Sequence, residues 1–250
     1  MAKELFQAFD SVKSGAGWSN FAGLITQEQY KAHYEHLKMI EGGIEATTLR
    51  MYGLEIHSAP GVYVPDLSSS TFTMIRALLS MYENVDKKEH VLELGSGSGA
   101  VSLILDRHEF GRHFTVTDIE PAAVELMRAN IARNNAEERF TPVIADLFNG
   151  LTHKGYDAIL FNGPLWHKSL IVRGEEALVD KDGAFTERFL QEADLYLANG
   201  GEIFFAYSNL GREDLMDKFA DKWDYQMITA EYIARTGMIK AIYRATLKTS

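Results

Sequence analysis

The residues with the most legible chemistry lie between positions 93 and 166. Val91, Leu92 and Leu94 form an apolar run broken by one acid, Glu93, and lead directly into Gly95-Ser96-Gly97-Ser98-Gly99. Glycines at that density let the chain turn sharply and let a ligand approach without Cβ clashes. A helix beginning at once aims its free N–H groups at the ligand's polar end. Gly95, Gly97 and Ala100 also satisfy G-x-G-x-x-[GA], so the turn by itself equally fits a dinucleotide site. Glu93 in an apolar strand requires a partner, because an isolated buried carboxylate is costly. A second apolar run ends in Thr117-Asp118, with Asp118 lying 19 residues after Gly99. A carboxylate there can accept hydrogen bonds from both hydroxyls of a ribose. Because Glu120-Pro121 follows, Asp118 also suits the start of a helix. Asn162-Gly163-Pro164-Leu165-Trp166 follows the run Ala158–Phe161, and Asn-Gly-Pro on its own reads as a turn.

The elements that must hold these positions follow from periodicity. Short apolar runs at 90–94, 114–117, 142–145, 158–161 and 202–206 alternate with amphipathic segments at 99–106, 121–134, 185–197 and 213–222. Runs that are apolar on both faces are strands covered on both sides, and strand–helix alternation predicts a doubly wound, mostly parallel α/β sheet. Residues 225–228 and 238–247 are extended with no helix between or after them, which predicts an antiparallel hairpin at the C-terminal sheet edge. Phe72, Ile75, Leu78, Leu79 and Tyr82 share one stripe of a helix over 69–82. Upstream, Thr26 opens a helix to about Glu41 that ends at Gly42-Gly43, and 57–68 is a proline-containing loop. The chain therefore divides into an N-terminal extension, 1–65, expected to face the substrate as a lid, and a main domain, 66–250.

Glu93-Leu94-Gly95-Ser96-Gly97-Ser98-Gly99 resembles the first motif of class I S-adenosylmethionine (SAM)-dependent methyltransferases. That resemblance implies a Rossmann-like fold with a seven-stranded sheet and SAM as cofactor. It implies that Gly95, Ser96, Gly97 and Gly99 hold the methionine end of SAM, with Glu93 near its amino group. Asp118 would take the ribose and Ile119 would lie beside the adenine. Asp146 would bind the adenine amino group, and the Leu147 N–H would reach a ring nitrogen. Tyr156–Trp166 is similar to the strand and Asn-Pro-Pro-Tyr loop of HemK-like and adenine-N6 enzymes, which methylate planar amino or amide nitrogens. An Asn side-chain oxygen and a backbone carbonyl can accept the two hydrogens of such an NH₂ group and aim its lone pair at the methyl. This chain keeps Asn162 and Pro164, has Gly163 for the first proline and Leu165 for the aromatic, and carries Trp166 one place later, where it is expected to substitute as the stacking ring. Val62-Tyr63-Val64-Pro65 and Asp182-Gly183-Ala184-Phe185 are similar to flanking segments of the same group, although Ser68 stands where an acid is usual. Residues 1–55 do not resemble the helical substrate domain of release-factor enzymes.

Composition narrows the field. The 250 residues contain no cysteine, so disulfides, thiolate nucleophiles and cysteine-ligated metals are excluded. No apolar run is long enough for a membrane span and the N-terminus has no secretory pattern, so the expected compartment is the cytoplasm. A net charge of −10 disfavours a phosphate backbone. Nucleic acid is therefore expected to be an unlikely partner, and the expected acceptor is the nitrogen of a small metabolite, with a peptide or protein side chain next. His33 and His36 lie at i,i+3 but lack matched acidic ligands, so no metal is expected. His167 is weighed as a general base. Two rivals remain: a non-catalytic SAM-binding subunit, and a nicotinamide oxidoreductase using the same glycine loop.

Overall fold

A computed structural model describes residues 28–29, 48–59, 62, 65, 69–83, 87–168, 179–212 and 214–248. The Thr26–Glu41 helix, the His33/His36 pair, and Tyr63, Val64 and Ser68 of the segment before the first long helix lie outside these residues, apart from Glu28 and Gln29, which are helical.

Eleven strands and five α-helices lie wholly within the described residues. In chain order they are β1 (Thr48–Met51), β2 (Leu54–His57), α1 (Ser70–Met81), β3 (Lys88–Leu94), α2 (Ala100–Arg107), β4 (Gly111–Asp118), α3 (Pro121–Arg133), β5 (Phe140–Ile144), β6 (Tyr156–Phe161), β7 (Trp166–Lys168), β8 (Val179–Lys181), α4 (Ala184–Glu192), β9 (Leu197–Ser208), α5 (Leu215–Lys218), β10 (Trp223–Ile233) and β11 (Met238–Leu247). Seven strands form one sheet in the order β10-β11-β9-β6-β3-β4-β5. β9, β6, β3, β4 and β5 run parallel, while β11 and β10 pair antiparallel at one edge. The expected doubly wound sheet with a C-terminal hairpin is thus the observed one.

Two cores sandwich this sheet. One face buries Phe72, Ile75 and Leu78 of α1, Leu103 of α2 and Met127 of α3 against Val91 and Leu160. The other buries Phe189 and Leu190 of α4, and Leu215 of α5, against Leu92, Ile159 and Phe205. Successive residues of β3 serve opposite faces, which is why the strand reads as continuously apolar.

The small β1–β2 hairpin was not legible as strands, and it falls inside the stretch read as an extension. Its Leu54 and Ile56 nevertheless belong to the same core as α1, α2 and α3. α3 secures it with two side chains. The Asn134 amide accepts from Glu55 N–H (3.0 Å) and donates to Glu55 C=O (2.9 Å), and the Asn130 amide does the same at His57 (2.9 Å each). Alternate residues of a strand repeat every ~6.6 Å. Residues four apart on a helix repeat every ~6 Å. The two asparagines therefore read the open edge of β2 as a neighbouring strand would.

Candidate functional site

The site lies where the winding reverses. From β3 the chain proceeds outward through β4 and β5, then returns to place β6 on the other side of β3. Ligands in such sheets bind at the carboxyl ends of the strands at this switch point. The register pairs Leu94 with Phe161, so Gly95 and Asn162 leave the sheet side by side.

Gly95, Gly97 and Gly99 all adopt positive φ (64°, 54° and 79°), which explains three glycines in five residues. Gly99 is the N-cap of α2. Ser96 rivets the loop to β4: its N–H donates to Thr117 C=O (2.7 Å), its hydroxyl donates to Glu93 C=O (3.1 Å), and that hydroxyl accepts from Thr117 N–H (3.2 Å).

Glu93 is 2% exposed. Its carboxylate accepts hydrogen bonds from Ser102 N–H (3.1 Å) and the Ser102 hydroxyl. Burial pushes its carboxyl up to about 7; the Ser102 bonds oppose the shift and the nearby Asp118 charge adds to it. Asp118 accepts from Gly97 N–H (2.9 Å) on one oxygen and from Glu120 N–H (3.0 Å) on the other. It braces the glycine loop and keeps one acceptor direction free on each oxygen. Ile119 beside it is 54% exposed, an apolar surface next to the loop.

Asp146 and Leu147 follow β5, and Leu147 has φ 51° in a tight 146–149 turn closed by reciprocal backbone bonds between Asp146 and Asn149. One guanidinium nitrogen of Arg188, on α4, donates to both Asp146 oxygens (3.0 and 3.1 Å).

Asn162 ends β6. Its Nδ2 donates to Thr71 Oγ1 on α1 (3.0 Å), while its Oδ1 is buried without a partner. Gly163 is held to glycine by its neighbour: a Cβ there would come within 2.2 Å of the Phe161 ring. That contact explains why this loop lacks the first proline of Asn-Pro-Pro-Tyr. Pro164 and Leu165 are half-buried. Trp166 is 3% exposed. It opens β7, which pairs with β8, so its ring belongs to the interior and not to an open stacking face. His167 pairs in register with Asp180; its Nδ1 is buried without a partner. Asp180 itself accepts from Phe185 N–H (2.9 Å) and Thr186 N–H (3.0 Å) at the start of α4, and burial raises its carboxyl above the usual range.

The structure thus brings Glu93, the glycine loop and Asp118 into one hydrogen-bonded unit, with Asn162 beside it and Asp146 two strands away. Sequence reasoning missed Ser102, Arg188, Thr71 and Asn130. Each is an ordinary helix residue whose partner lies on another element, so no spacing rule reveals it.

A family model described as "Methyltransferase small domain" matches residues 53–234, well over half of the chain. The tRNA1(Val) (adenine(37)-N6)-methyltransferase of Aliivibrio fischeri is 25% identical over 130 residues, covering 51% of this chain and 56% of the relative. Ribosomal RNA small subunit methyltransferase C of Haemophilus influenzae is 28% identical over 214 residues, covering 85% of this chain and 56% of the relative. Among solved structures, the T. thermophilus 16S rRNA N2 methyltransferase in complex with AdoMet and guanosine superposes with a TM-score of 0.60 at 22% identity, covering 82% of this chain and 50% of that one. The chain spans about half the length of the curated relatives it matches (56%, 40% and 56%). These findings bear out the expected fold and SAM as the family's cofactor. They overturn the expectation that nucleic acid is an unlikely partner: net charge was the wrong guide, since relatives named for tRNA and rRNA methylation share this sequence pattern. Nor do they support the small metabolite expected as acceptor. By the extent of the family match, this chain belongs to the methyltransferase small domain family.

Proposed function

We propose that this chain is a SAM-dependent N-methyltransferase whose acceptor is the exocyclic amino group of a base in RNA. The observation that carries this reading is Asn162: its Nδ2 is committed to Thr71, and its Oδ1 is left as a buried acceptor with no partner beside the glycine loop. A buried acceptor without a donor costs roughly 1–3 kcal/mol. An incoming NH₂ group supplies the missing donor, and its lone pair is then turned toward the sulfonium methyl. Glu93, Asp118 and Asp146 would hold the amino, ribose and adenine groups of SAM. The transfer is a direct displacement. Nitrogen attacks the methyl carbon, the carbon–sulfur bond breaks with its electrons going to sulfur, and the amino group loses one proton to water.

The relatives named for adenine-N6 and ribosomal RNA methylation support an RNA acceptor. Electrostatics shapes how it would be recognised. Arg139, Arg188, Arg212 and Arg244 each sit on a carboxylate. These four guanidinium groups are therefore not expected to be the main phosphate contacts.

The test is transfer of radiolabelled methyl from SAM into total RNA, total protein and a metabolite extract of the native cell, comparing wild type with Asn162→Ala. Nuclease-sensitive label recovered as N6-methyladenosine or N2-methylguanosine, and lost in Asn162→Ala while S-adenosylhomocysteine binding persists, is the expected result. Label confined to protein glutamine or to small molecules, or an unimpaired variant, would overturn it.

A further inference from the structure

Asn130 does more than dock the hairpin. It is fully buried, at 0% exposure in the middle of α3. Its Oδ1 accepts from His57 N–H (2.9 Å); one Nδ2 hydrogen goes to His57 C=O (2.9 Å) and the other to Ser98 C=O (3.0 Å). One amide thus uses both of its donors and its acceptor on two distant segments: the last residue of β2 and the fourth residue of the glycine loop. Asn134, one turn later, makes the matching bonds to Glu55, but its remaining bond goes to Asn130 C=O within its own helix (2.8 Å). Of the two asparagines that hold the hairpin, Asn130 is the one that also holds the loop.

We infer that Asn130 is a positioning residue that couples occupation of the cofactor loop to the order of the N-terminal hairpin. The geometry supplies the path. Ser98 C=O is fixed only while the loop keeps its conformation, which a bound ligand stabilises. The same amide would lose both of its bonds at His57 if the hairpin left. Coupling free energies are reciprocal, so if the ligand steadies the hairpin through Asn130, the hairpin's bonds to Asn130 strengthen ligand binding by the same factor. The inference rests on reading Gly95–Gly99 as the cofactor loop.

The test is hydrogen exchange read by mass spectrometry on the whole chain, with and without S-adenosylhomocysteine, together with calorimetric affinity. In the wild type, ligand is expected to slow exchange in peptides covering 95–103 and also in peptides covering 54–59. Asn134→Ala is expected to speed hairpin exchange in the free protein yet keep the ligand-induced slowing, with affinity within about twofold of wild type. Asn130→Ala is expected to abolish ligand-induced slowing at 54–59 and to weaken affinity by about tenfold. Wild-type protein in which the loop slows but 54–59 does not would overturn the coupling, whether or not Asn130→Ala folds. So would an Asn130→Ala protein that retains slowing at 54–59. Failure of the wild type to bind S-adenosylhomocysteine at all would instead overturn the cofactor reading beneath it.

Discussion

Glu93→Gln isolates the energetic consequence of placing an acid in the central strand. In the folded protein burial holds the Glu93 carboxyl at about 7, against an ordinary value of 4.5. Between those two pH values the folded state carries a proton that the unfolded state has released. Stability therefore falls as pH rises through this window and levels off above it. A displacement of that size corresponds to about 3 kcal/mol, each pKa unit being worth 1.36 kcal/mol. For a chain of this size 1 kcal/mol moves the melting temperature by roughly 2–4 °C, so the effect is about 6–12 °C. Glutamine keeps the shape and the acceptor for Ser102 but cannot titrate. Thermal melts of the ligand-free protein should therefore show wild type losing about 6–12 °C relative to Glu93→Gln between pH 5 and pH 8. The ammonium of SAM favours the carboxylate form, so the wild type should bind S-adenosylhomocysteine up to about tenfold more tightly at pH 8 than at pH 6, with proton release, and Glu93→Gln should be flat. Melting curves that run parallel for the two proteins across this range would refute the reasoning.

Two other substitutions probe the rest of the site. Gly163 has no positive φ, so Gly163→Ala costs only the collision of its Cβ with the Phe161 ring, a ring already packed on Phe189 at 4.7 Å between centroids. Overpacking of this kind costs about 1–3 kcal/mol. The melting point should fall by roughly 2–12 °C and recover partly when Phe161→Leu is added, whereas an unshifted Gly163→Ala would remove this account of the missing proline. Arg188→Ala frees Asp146, and because both side chains are about one-third exposed (36% each) the pair is worth only about 0.5–1 kcal/mol. Calorimetry should show S-adenosylhomocysteine weakened about two- to fivefold, with less discrimination against the analogue carrying oxygen in place of the adenine amino group; unchanged affinity would show that Arg188 does not position Asp146.

The sheet was legible because its strands are buried on both faces and so read as uninterrupted apolar runs, and the β10–β11 edge because no helix follows residue 233. The β1–β2 hairpin was hidden by its turn. Tyr52 and Gly53 both take positive φ (53° and 75°), a conformation usually announced by Asn-Gly or Asp-Gly. β7 and β8 have three residues each, too few for any period to register. The helix expected over 213–222 shrinks to Leu215–Lys218, and the one over 185–197 ends at Glu192. At the site, the sequence marked residues whose type is demanded by the chemistry: glycines at positive φ, carboxylates at strand ends, an amide after β6. It was silent on Ser102, Arg188 and Asn130, whose types are unremarkable and whose importance arises only when the sheet brings separated segments together. The expectation against nucleic acid rested on net charge, which sums over the whole surface and says little about a few groups at one strand end.

The polar groups of the site fall into two kinds, and the division bears on mechanism. On the cofactor side every carboxylate is already engaged: Glu93 by Ser102, Asp118 by Gly97 and Glu120, Asp146 by Arg188. If these carboxylates hold SAM as proposed, those bonds would fix where its hydrogen bonds form before it arrives, so that little reorganisation would oppose its binding. On the acceptor side, Asn162 Oδ1 and His167 Nδ1 are buried and unpaired. A buried polar group without a partner costs stability, and for Asn162 Oδ1 a ligand that brings a donor relieves that cost. Asn162 Nδ2 is held on Thr71 Oγ1, which leaves Oδ1 as the group that faces an acceptor. An NH₂ nucleophile meets that requirement, and a group without a donor does not. Selection of the acceptor would then rest on the same unpaired oxygen that orients its lone pair, so substrates lacking an N–H should be rejected chiefly in the rate of transfer, with little effect on SAM affinity.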